Sequence, residues 1–195
     1  MTTNDIATTY ARLAAPFTAV VGRLDRADWH AASPCEGWSA WDVLDHVITT
    51  QRDFLEKHGA DLGDRPAASP GRAEPGEVWR AHDARVQRLL AHPAVRDHAY
   101  DGVFGTTTVG RSLVAFYGFD LLVHRWDIAA AAGLEVRFND AELDVVEQSA
   151  DGFGEHLYDE GVCRPAVPAT DGADRQERVL ARLGRRVPVS ERVRG

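Results

Sequence analysis

Three residues in the second half of the chain have types and spacing suited to chemistry. Asp120, His124 and Asp127 lie within the apolar run from Phe116 to Asp127. An α-helix advances about 100° per residue, so positions four and three apart stack on one face. Leu113, Phe116 and Tyr117 fall in the same sector, so the polar residues are expected to project toward the core. A carboxylate and an imidazole buried there need partners or a metal, because an unpaired buried charge is costly. An Asp/His pair at i, i+4 also makes two workable metal ligands on one helix face.

Two ligands do not complete a site, and His46 is the third candidate. It lies about 200° around its helix from Leu44, off the apolar stripe. Its neighbours there are Asp42, Val43, Thr49 and Thr50. That face is too polar for a core and suits the wall of a polar cavity. The competing reading makes Asp120 and His124 a buried hydrogen-bonded pair with a purely structural role. Spacing alone does not choose between the two.

Other residues carry weaker chemistry. Cys35 precedes a predicted helix N-terminus, where a thiolate is favoured, yet free cysteines are usually packed and inert. It is therefore read as a loop residue packed against the helices. Cys163 has no supporting context. Trp38, Trp41 and Trp126 are expected in the core or lining a cavity. No residue is assigned as a catalytic acid, base or nucleophile.

The elements that must position these residues are helical. Apolar periodicity predicts helices over residues 5–24, 39–58, 76–91, 108–132 and 140–158, with a short one near 173–183. Ser39 followed by Asp42, and Asn139 followed by Glu142, resemble capping boxes. Pro16 is expected to kink the first helix. Residues 31–37 and 60–76 are predicted loops, and 94–108 is irregular with an extended segment near 102–105. These elements suggest an all-α four-helix bundle. We expect one domain over residues 1–195, with a core over about 5–158 and a short irregular extension over about 159–195.

Composition narrows the function. The chain has 195 residues and a formal net charge of −8, which argues against nucleic acid or an anionic membrane as a partner. No leader pattern and no membrane-spanning run are visible, so a soluble cytoplasmic protein is expected. The sequence leaves room for a homodimer without specifying one.

Two segments carry a family resemblance. Residues 33–47, reading SPCEGWSAWDVLDHV, resemble the "PCxGW…DLxxHL" stretch of the DinB-like superfamily. Residues 120–127, reading DLLVHRWD, resemble the "E/DxxxHxWD" motif of its mycothiol-dependent maleylpyruvate isomerase N-terminal-domain branch. The tail from Arg178 to Arg185 is similar to the closing segment of that branch's small metal-binding members.

The resemblance implies a four-helix bundle holding a divalent metal, often zinc or nickel. Carried over, its ligands are His46, Asp120 and His124. Asp127 is expected to orient a ligand, as ligating histidines usually require, and Trp38, Tyr117 and Trp126 are expected to line the pocket. Asp120 stands where the isomerase has Glu, and its arm is one methylene shorter. The resemblance also implies that an open coordination position takes the thiolate of a low-molecular-weight thiol, mycothiol in bacteria that make it. The isomerase's separate C-terminal domain, which supplies basic substrate contacts, has no counterpart after Tyr158. The expected activity is therefore metal-dependent thiol S-transfer to a small electrophile rather than maleylpyruvate isomerisation. The alternatives are a non-catalytic metal-binding or stress-response protein on the same bundle, and a structural bundle without metal.

Overall fold

A computed structural model of the chain describes residues 3–64 and 74–187, with side chains from Ile6 onward. Most of the predicted 60–76 loop, the first two residues and the tail beyond 187 lie outside the described residues. The protein is predominantly helical, as the periodicity requires. It divides into two compact units, Met1–Val136 and Arg137–Gly195.

In the first unit, helix α1 spans Thr3–Val21 and runs on through Pro16. Helix α2 spans Ala40–Lys57, and α3 spans Pro75–Ala91 with its proline in the first turn, where no amide hydrogen is missed. The expected capping box starts α2: the Ser39 hydroxyl accepts from the Asp42 amide, and Asp42 accepts from the Ser39 amide. The Ser39 hydroxyl and amide together hold the Asp42 carboxyl below its ordinary pKa.

Past α3 come a one-turn helix, α4 (Pro93–Arg96), and an antiparallel hairpin of β1 (Ala99–Gly102) with β2 (Gly105–Thr108). The extended segment expected near 102–105 is in fact this hairpin's two-residue turn, Val103-Phe104, with strands on both sides. Gly105, at a φ of +99°, closes it in a conformation that other residues rarely adopt.

The single helix expected over 108–132 is broken into three. A short helix, α5 (Val109–Ser112), leads into a π-helical turn, Leu113–Tyr117, and then α6, Gly118–Ala131. The wide turn shifts the helical register of α6 relative to α5. Leu113, Phe116 and Tyr117 therefore do not share a simple helical sector with Asp120. Every residue from Leu121 to Ala129 is buried, so α6 is covered on all sides rather than along one stripe.

Helix α1 packs against α6 and α3, and α2 packs against the same two helices. Tyr10, Phe17, Leu44, Leu55, Trp79 and Ile128 form the fully buried centre of the core. Gly118 permits the close approach of α6 to α1: a Cβ there would stand 2.5 Å from Leu13 Cδ1.

The second unit contains α7 (Asp140–Phe153), a short 3-10 turn and α8 (Arg175–Arg182), the last matching the short helix expected near 173–183. Both helices begin with capping boxes, Asn139 with Glu142 and Asp174 with Glu177. Arg175 ties α8 to α7 through Asp144 and Glu147. Among the described residues, no helix is long and apolar enough to cross a membrane.

Candidate metal centre

Helices α2 and α6 and the loop before α2 supply the candidate centre. The loop is shaped by backbone bonds: the Ser33 amide donates to the Trp38 carbonyl at 2.8 Å, and the Trp38 amide donates to the Cys35 carbonyl at 3.0 Å. Gly37, at a φ of +80°, provides the left-handed residue that this tight path needs. The turn places the Trp38 ring 5.0 Å from the His46 ring and the Cys35 sulfur 3.3 Å from Asp127 Oδ2.

The three residues proposed from sequence as ligands meet in space. One side-chain donor atom each from His46, Asp120 and His124 lies within 4.8 Å of the others. Asp120 faces both imidazoles, with Oδ1 3.2 Å from His124 Nε2 and Oδ2 3.9 Å from His46 Nε2. The two rings meet edge to face, 5.2 Å apart. A tetrahedral first-row ion with nitrogen and oxygen ligands at about 2.0–2.2 Å holds its ligand atoms about 3.3–3.6 Å apart. The two measured spacings bracket that range, so two imidazoles and a carboxylate here fit a divalent cation.

Hydrogen bonding determines which imidazole nitrogen faces the cluster. Asp127 is fully buried, and its Oδ2 lies 2.9 Å from His124 Nδ1. A carboxylate can only accept, so Nδ1 carries the hydrogen and donates. Nε2 is thereby directed at Asp120 and His46, as a ligating histidine oriented by a carboxylate requires.

Burial opposes the charged form of His124. The charge and hydrogen bond of Asp120, with the bonds from Asp127 and Cys35, outweigh it and raise the pKa well above the ordinary histidine value. Such a ring is satisfied in one of two ways, by a second proton on Nε2 or by a cation in its place.

The cluster is sunk but reachable. The His46 and Asp120 side chains are 26% and 23% exposed, whereas the side chain of His124 is 8% exposed. Trp38 is exposed beside His46. Tyr117 is half-buried; burial first, then the charge of Asp120, push its phenol well above the ordinary range, so it stays protonated. Phe54 packs 5.1 Å from Tyr117. Trp126, expected at the pocket, is buried on α6.

Sequence reasoning read Cys35 as a loop residue packed against the helices; the structure packs it there and also draws its sulfur into a second donor group with His124 and Asp127. Its partner is ninety-two positions away in the chain, and no local pattern reports such a contact. The only available signal was its place in the loop just before α2.

Two proteins described as uncharacterized, MT0763 of Mycobacterium tuberculosis strain CDC 1551 / Oshkosh and Rv0738 of strain ATCC 25618 / H37Rv, are each 26% identical over 185 residues. Each alignment covers 88% of this chain and 92% of the relative. No solved structure matches the chain significantly. Residues 10–129, which hold every member of the cluster, match the family described as the mycothiol maleylpyruvate isomerase N-terminal domain, and the chain belongs to that DinB-like family.

Proposed function

We propose that His46, Asp120 and His124 bind one divalent cation, zinc or nickel, and that the protein transfers a low-molecular-weight thiol, mycothiol, to a small electrophile. The observation that carries this reading is the convergence of the three donor atoms within 4.8 Å, at a partly exposed place, in a chain of the mycothiol isomerase family. The scaffold is a four-helix bundle of α1, α2, α3 and α6. Bound there, the cation lowers the pKa of a coordinated thiol and keeps it as a nucleophilic thiolate at neutral pH.

The chain's own residues do the positioning. Asp127 holds His124 with Nε2 outward. Asp120 spans both imidazoles with its two oxygens. Three protein ligands leave a coordination position open, which marks a catalytic rather than a structural centre. Trp38 and Tyr117 flank the exposed side, where they limit access by water and offer flat apolar surface to an incoming electrophile.

The test is metal content by mass spectrometry on untagged protein, followed by thiol consumption across a panel of electrophiles. We expect about one equivalent of metal and metal-dependent consumption of thiol. Bound metal with no turnover on any electrophile would leave a metal-binding protein and remove the transferase. Absence of metal after incubation with zinc and nickel would remove the metal centre and leave a buried ion network.

A further inference from the structure

We propose that Cys35 is a positioning residue for the His124 ligand, acting through the carboxylate of Asp127 and through its own contact with the ring. The inference rests on the metal reading above and deepens it. Both Cys35 Sγ and His124 Nδ1 approach the same oxygen, Asp127 Oδ2, at 3.3 and 2.9 Å. The carboxylate has no hydrogen to offer, so the thiol and the imidazole are the donors. Two donors on that one oxygen hold it, and the imidazole with it, more firmly than either alone.

The contact also spans the fold. Cys35 belongs to the loop before α2, and Asp127 to the last turns of α6. The loop that places Trp38 beside His46 is therefore fastened to the helix that carries His124. Loss of the thiol loosens His124 through its shared partner Asp127, and through the loop it loosens the surroundings of His46. The arrangement assigns Cys35 the role of a hydrogen-bond donor rather than a nucleophile. In the competing arrangement Cys35, His124 and Asp127 themselves hold the cation, since their donor atoms also lie within 4.8 Å of one another.

The experiment measures zinc affinity by chelator competition for wild type, Cys35→Ala, Cys35→Ser and His124→Ala. Thermal melts of the metal-free proteins serve as the folding control. Changes to groups that orient a metal-ligating histidine typically cost about 10–100-fold in affinity. Cys35→Ala is expected to weaken zinc about tenfold. Cys35→Ser, which restores a donor on a shorter arm, should recover most of that loss.

A mere packing role would not move the His124 Nδ1–H resonance. By proton NMR it should persist in wild type and Cys35→Ser and broaden by exchange in Cys35→Ala. The cobalt-substituted wild type should lack a sulfur-to-cobalt charge-transfer band. That measurement needs no variant to fold.

Wild-type affinity in Cys35→Ala, alongside loss of metal in His124→Ala, overturns the role of Cys35 and leaves the metal centre standing. A charge-transfer band overturns it in favour of direct ligation by sulfur. Undiminished zinc binding by His124→Ala overturns the metal reading itself.

Discussion

Two buried histidines, His82 and His124, are 1% and 6% exposed, yet their surroundings suit different work. His82 sits on α3, where its Nε2 lies 3.0 Å from Gln51 Oε1. The same oxygen accepts the Tyr10 hydroxyl at 3.1 Å, so the node draws on α1, α2 and α3 and has a neutral amide at its centre. His124 meets a carboxylate on each ring nitrogen and a second imidazole beside it. Burial does not separate a structural histidine from a candidate ligand. The charge of the partners does, together with the partly exposed side chains of His46 and Asp120.

The largest expected effect crosses the two sites. His124→Ala should take bound metal from about one equivalent to none, whereas His82→Ala should keep the metal. The latter opens a cavity and removes one of the two partners of Gln51 Oε1, at a cost of roughly 2–4 kcal/mol. Mass spectrometry and urea denaturation read the two outcomes, and loss of metal in both variants would collapse the distinction.

Next in size is the seat of α6 on α1, one turn along α1 from Tyr10. Gly118→Ala places a methyl group against Leu13 and should destabilise the protein by about 1–3 kcal/mol. Leu13→Ala in the same chain should return part of that loss, measured as a double-mutant cycle.

The charge difference predicts a pH dependence at His124. Its folded pKa lies above the unfolded value of about 6.5. In the metal-free protein, the stability from imidazolium and carboxylates is fully present below about pH 6.5 and is lost as pH rises through the folded pKa. Zinc must displace that proton, so its affinity should rise about tenfold per pH unit until the folded pKa is passed. Calorimetry in buffers of different ionisation enthalpy counts the proton, and Asp120→Asn should shrink the slope.

The smallest expected effect lies at the start of α2. Ser39→Ala removes an N-cap and should cost about 1 kcal/mol, with metal stoichiometry unchanged. A change in stoichiometry would mean that the cap also sets the place of His46.

The sequence by itself settled what short-range physics governs. Apolar periodicity placed α1, α2, α3 and α7 to within a few residues. Side chain-to-backbone bonds three residues apart announced the caps at Ser39 and Asn139. The i, i+4 step put Asp120 and His124 side by side, and the polar face of α2 singled out His46. Only the tertiary structure decided the rest: the π-helical turn before α6, the burial of α6 on every side, the hairpin flanking Val103-Phe104, and the thiol of Cys35 against Asp127. Helix caps and helical spacing act within one turn of chain and are written locally. Which residues meet across ninety-two positions depends on how packed helices approach one another, and no single segment carries that information.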